Sequence, residues 1–95
     1  KISPELLLTL ADKIAPDNPL LAISYTFRVA SSYVATGQND VYEQAAAALR
    51  KREQSLGDDK ALQENFSQQL GALATEYKRK RNFIKLVNLY FASRL

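Results

Sequence analysis

Three clusters of helix-breaking residues set what this chain can become: Asp17-Asn18-Pro19, Gly37-Gln38-Asn39-Asp40 and Gly57-Asp58-Asp59. Each pairs a stop signal with residues that cap a following helix, and the segments between them repeat apolar residues every three or four positions. A fourth signal, Ser3-Pro4-Glu5, opens the chain with a Ser cap, Pro at the first helical position and a carboxylate in the first turn. Such punctuation predicts an all-α protein, a compact bundle of four to five helices. With 95 residues, 1–95 form one domain with one core.

The first helix is expected to stop near Ala15, ahead of Pro16, with Leu7, Leu10, Ala11 and Ile14 as its inner face. The second, capped by Asn18, is apolar on two faces: Leu20, Ile23, Phe27, Ala30 and Val34 on one, Leu21, Tyr25, Val29 and Tyr33 on the other. A helix of that kind is enclosed on several sides, so it should be the centre of the bundle. The third is expected over 41–56, capped by Asn39 or Asp40, with Ala45 to Ala48 permitting close approach. YVATGQNDVYEQAAAAL resembles a tetratricopeptide helix–turn–helix, but it occurs once, where three copies are normally needed.

From Lys60 onward no Pro or Gly-Asp signal intervenes, although Leu62, Phe66, Leu70, Leu73 and Tyr77 form one stripe and Phe83, Ile84, Val87 and Phe91 a second. Lys80 would fall inside the apolar arc of one continuous helix, where an unpaired ammonium cannot stay. Either Lys80 reaches past its neighbours to water, or the helix breaks between Arg79 and Asn82 with Asn82 as the new cap; the break is the expectation adopted. Gly71, inside the stripe, is expected to mark close packing against the Ala-rich third helix, or else a contact with a second subunit.

Composition narrows the chemistry. With no Cys and no His, thiolate metal sites, Cys nucleophiles and His-based acid–base catalysis are excluded. Asp58 and Asp59 sit where a helix needs a cap, no Glu-x-x-His pair is present, and no Gly-rich phosphate loop occurs. A non-catalytic protein without cofactor or metal is therefore expected. No apolar run reaches the roughly 20 residues of a membrane span. The stretch between Glu5 and Asp12 lacks a cleavage site and does not read as a signal peptide. A cytoplasmic location is the expectation.

The net charge of +3 is unevenly spread. Residues 1–49 carry −2 and residues 50–76 carry −1, whereas 77–95 hold six cations and no carboxylate. Two clusters are candidate nucleic-acid contacts: Arg50-Lys51-Arg52, and Lys78-Arg79-Lys80-Arg81 with Lys85. The first could equally complement the negative end of the third helix. Four consecutive helical residues sweep about 300°, so the second cannot be a single solvated face. Lys78, Arg81 and Lys85, at spacings of three and four, would line up on one helix into a strip able to follow phosphates. Phe83, Tyr90 and Phe91 look like base-stacking platforms, but aromatics in a helical stripe are more often core, which is the expectation for all three.

The closing stretch KRKRNFIKLVNLYFASRL, on a small helical chain with a basic strip and no catalytic set, resembles the small subunit of CRISPR interference complexes. A similar helical unit also ends the large subunits of that family. The resemblance implies a structural role: copies stacked along an RNA-guided effector, basic side chains holding nucleic-acid backbone, and other subunits as partners. The competing expectation is a helical protein-interaction or adaptor module whose cations serve solubility.

Overall fold

The computed structural model describes residues 3–94; Lys1, Ile2 and Leu95 lie outside them. Three of its helices, the first, second and fourth, begin at the predicted caps. Ser3 accepts from the Leu6 amide to start α1 (Pro4–Ile14), and Asn18 accepts from the Leu21 amide to start α2 (Pro19–Ala35). Gly37 and Gly57 take φ of 77° and 62°, the left-handed conformation that only Gly adopts without penalty. The chain thereby leaves α2 at the expected place, and α3 (Asn39–Gln54) lies two residues earlier at each end than the 41–56 expected. Asp59 accepts from the amides of Ala61 and Leu62 and starts α4 (Lys60–Glu76). A turn over 77–80 leads to α5 (Arg81–Phe91), followed by a short 3₁₀ turn, Ala92–Arg94. No strand occurs among the described residues.

Two caps differ from expectation. Gln38, not Asn39 or Asp40, is the first flanking residue of α3 and makes no side-chain cap bond; Asn39 and Asp40 lie inside the helix. Lys80, not Asn82, precedes α5. Asn82 instead donates to Asn39 Oδ1 at 3.0 Å and ties the start of α5 to the start of α3.

α2 is the centre, packed against α1, α3 and α4, with Ile23, Phe27, Val29, Ala30 and Val34 buried. Its second face divides: Val29 is buried, Tyr25 and Tyr33 are half-buried, and Leu21 is exposed. The stripes of α4 and α5 meet over it, with Phe66 at 5.1 Å from Phe27 and 5.9 Å from Phe91 between ring centres. Phe83, Val87 and Phe91 of α5 are buried, as expected, and Ile84 is packed at the edge. The bundle is flat, 35 × 32 × 17 Å, so its outer helices cover little area. α1 shows this most: of its expected inner face only Ala11 is buried, Leu7 and Ile14 are half-buried and Leu10 is exposed rather than inward, while Leu6, outside that face, is exposed as well. Gly71 departs from expectation too. A Cβ there would meet nothing within 4 Å, so close packing against α3 does not explain it.

Candidate nucleic-acid interface

The predicted break between α4 and α5 places the main basic cluster. Tyr77 ends α4, its amide donating to Leu73 O, and its hydroxyl bonds Ser31 of α2 at 2.9 Å. The Lys80 amide donates to Tyr77 O at 2.9 Å and closes the turn. Lys78 and Arg79 lie within it and are exposed; Arg81 and Lys85, four apart on α5, are exposed opposite Phe83 and Val87. The single-helix strip of Lys78, Arg81 and Lys85 is therefore corrected. Lys78 belongs to a turn, beside a shallow groove it shares with Gly71, Ala74, Ile84 and Asn88, and only Arg81 and Lys85 share a helix.

Lys80 is half-buried, and its Nζ lies 3.6 Å from where a Cβ on Gly37 would sit. Its charge thus rests against the C-terminal end of α2, where the helix dipole is negative. Among the described residues, three ion pairs occur, and none involves Lys78, Arg79, Lys80, Arg81 or Lys85. Five cations within eight residues therefore make no ion pair among the described residues.

The cluster at 50–52 behaves otherwise, because three successive helical residues point three ways. Arg52 turns inward and is 5% exposed. Its Nε donates to Thr26 Oγ1 at 3.0 Å and its Nη2 to Asp12 Oδ1 at 2.6 Å. Thr26 is satisfied in turn, donating to Ala22 O. Desolvation pushes the Asp12 carboxyl upward, but the hydrogen bonds and charges of Arg52 and Lys51 outweigh it and hold Asp12 below its usual value. Arg52 is a structural tie joining α1, α2 and α3, and its placement as a nucleic-acid contact is corrected. Lys51 pairs with Asp12 at 3.3 Å at the surface. Arg50 lies over the ring of Tyr90 at 5.0 Å. The first and second clusters sit at opposite ends of α3, separated by about 18 Å of helix.

The sixth tail cation, Arg94, is also committed inside the molecule. It donates to Glu53 Oε2 at 2.6 Å, to Ser67 Oγ at 2.8 Å and to Gln63, with its guanidinium 5.0 Å from the Phe66 ring. Sequence reasoning missed this tie, whose partners lie 27 to 41 residues away. It also missed Tyr90: Phe83 and Phe91 are core as expected, but Tyr90 is on the surface. The spacing carried a signal, since Tyr90 falls at the margin of the Phe83–Val87–Phe91 arc.

No group of three or more metal-ligating side chains capable of holding an ion occurs among the described residues, and no helix there is long and apolar enough to cross a membrane. Fold and site together define an all-α bundle with a basic turn projecting from one end. No family model, no curated protein and no solved structure matches the chain.

Proposed function

We propose that this protein is a non-catalytic unit that grips nucleic-acid backbone, without reading sequence, through the α4–α5 turn and the outer face of α5. The observation that carries the reading is the set of five cations at 78–81 and 85 with no ion-pair partner among the described residues. Cations left free on a rigid end of a bundle repel one another, and a row of phosphates relieves that repulsion while releasing counterions. Four of the five are exposed. Arg50 and Lys51 form a second, weaker contact about 18 Å away along α3.

A few phosphate contacts give only about 10⁻⁴ to 10⁻⁶ M non-specific affinity. Such a unit gains from being held in several copies, or beside other subunits, on a common strand. In its finer form, drawn from the resemblance of the tail, the protein is a cytoplasmic small subunit of an RNA-guided CRISPR effector in antiviral defence. A second reading, the protein-interaction module, is favoured by the exposed Leu6, Leu10, Leu20 and Leu21 on α1 and α2.

The test is fluorescence anisotropy with labelled DNA and RNA at about 50 and 200 mM salt. Wild type is compared with a Lys78→Ala, Arg79→Ala, Arg81→Ala, Lys85→Ala variant. The expected outcome is binding that falls steeply with salt, and a variant whose log–log salt slope is shallower by about three. Absence of binding at low salt, or identical curves for the two proteins, overturns the nucleic-acid reading and leaves the interaction module.

A further inference from the structure

Beyond the cations, α5 carries two side chains that packing does not explain. Leu89 is 72% exposed, and Tyr90, 40% exposed, lies under the Arg50 guanidinium. On an α-helix, successive residues turn by about 100°. Going round α5 from Lys85, one meets Leu89, then Leu86, then Tyr90 facing Arg50 of α3. The cations lie at one margin of this apolar band and the Arg50–Tyr90 stack at the other.

We propose that the Arg50–Tyr90 pair is a base-stacking platform, which makes the protein prefer single strands with accessible bases over bare phosphate backbone. This deepens the function proposed above and rests on it. A guanidinium 5.0 Å from the centre of an exposed phenol ring puts positive charge beside an aromatic surface of the kind on which bases stack. Leu89 supplies apolar surface that a base covers and a phosphate does not. The cleft beside the platform is open, with a volume of about 320 Å³, and is walled by Ala47, Arg50, Lys51, Gln54 and Glu43. Glu43 lines this cleft and, with Asp40, the groove beside Asn82 and Leu86, so a backbone running from Arg81 and Lys85 to Arg50 and Lys51 must skirt both carboxylates. From Arg81 to Tyr90 the path is about 14 Å of helix. A duplex keeps its bases inside and reaches the cations only.

The experiment compares wild-type protein on two labelled strands of equal length and phosphate count, oligothymidylate and its abasic counterpart. The same measurements are made on Tyr90→Ala and Tyr90→Phe. Oligothymidylate is expected to bind wild type about five- to a hundredfold tighter than the abasic strand, from the stacking of one base. Tyr90→Ala should erase that ratio while leaving abasic binding unchanged, and Tyr90→Phe should retain it. The chain has no Trp and five Tyr, so the fraction of tyrosine emission that Tyr90 contributes should be quenched by oligothymidylate in wild type and that quenching should be missing from Tyr90→Ala. Equal binding of both strands by wild type overturns the platform and leaves the backbone reading standing, as does an equal loss on both strands in Tyr90→Ala. No binding of either strand at low salt overturns both.

Discussion

Arg50-Lys51-Arg52 and Lys78-Arg79-Lys80-Arg81 look alike in the sequence, yet the fold gives each cation of the first a partner and pairs none of the second with a carboxylate among the described residues. The first lies within a helix, where a 100° step per residue sends each cation to a different neighbour. Arg52 enters the core beside Thr26 and Asp12, Lys51 meets Asp12 at the rim, and Arg50 covers Tyr90. The second lies across a helix break, where none of its cations makes an ion pair among the described residues. What separates a structural cation from an available one is the surrounding fold, and the density of charge in the sequence does not report it.

The comparison breaks first at Arg52. Arg52→Met removes charged hydrogen bonds to Thr26 and Asp12 together with a buried guanidinium. The expected loss is about 2–3 kcal/mol, read as a fall of roughly 10 °C or more in Tm. DNA affinity measured well below that Tm should be unchanged. The four-residue variant of the α4–α5 turn should do the reverse, losing affinity while keeping its Tm. A binding defect in folded Arg52→Met would mean that Arg52 itself, and not only Arg50 and Lys51, contributes to the nucleic-acid surface.

How much of this was legible follows from how far apart the deciding residues lie. Ser3, Asn18 and Asp59 act within three residues of themselves, and Gly37 and Gly57 within their own turns, so four of the five helices could be placed from local pattern. The fifth was legible through a conflict: Lys80 could not share an arc with Phe83 and Val87. Its resolution was not, because Lys80 and Asn82 find their neighbours at Gly37 and Asn39, on another hairpin. Arg52 and Arg94 were invisible as ties for the same reason, since Asp12 lies 40 residues from Arg52 and Glu53 lies 41 from Arg94. Gly71 misled because a Gly in a helix suggests a close neighbour, and the fold places none there.

Asp12 sharpens the comparison from the acid side. Its folded-state carboxyl titrates below the ordinary value of 3.8, so it binds a proton less readily folded than unfolded. The stability this contributes is present above the unfolded pKa and is lost as pH falls through the folded one. Urea midpoints of wild type should therefore exceed those of Asp12→Asn at pH 7, and the gap should close below about pH 4. A gap that stays constant down to pH 2.5 would show that Asp12 acts by shape alone and that Arg52 needs no charged partner.

Lys51 is the intermediate case and carries the smallest expected effect. It has a partner, as Arg52 does, since its Nζ lies 3.3 Å from Asp12 Oδ2, yet its side chain is 75% exposed, and Lys78, Arg79, Arg81 and Lys85 are exposed too. At such a position water and salt screen most of the attraction, and holding a long side chain in place offsets much of the remainder. Lys51→Ala should consequently lie within about 0.5 kcal/mol of wild type by urea denaturation at about 150 mM salt. If burial is what divides structural from available cations, Lys51 belongs energetically with Lys78 and Arg81 in spite of its ion pair. A loss above about 1 kcal/mol would place it with Arg52 instead. Pairing, and not burial, would then be the property that divides the two clusters.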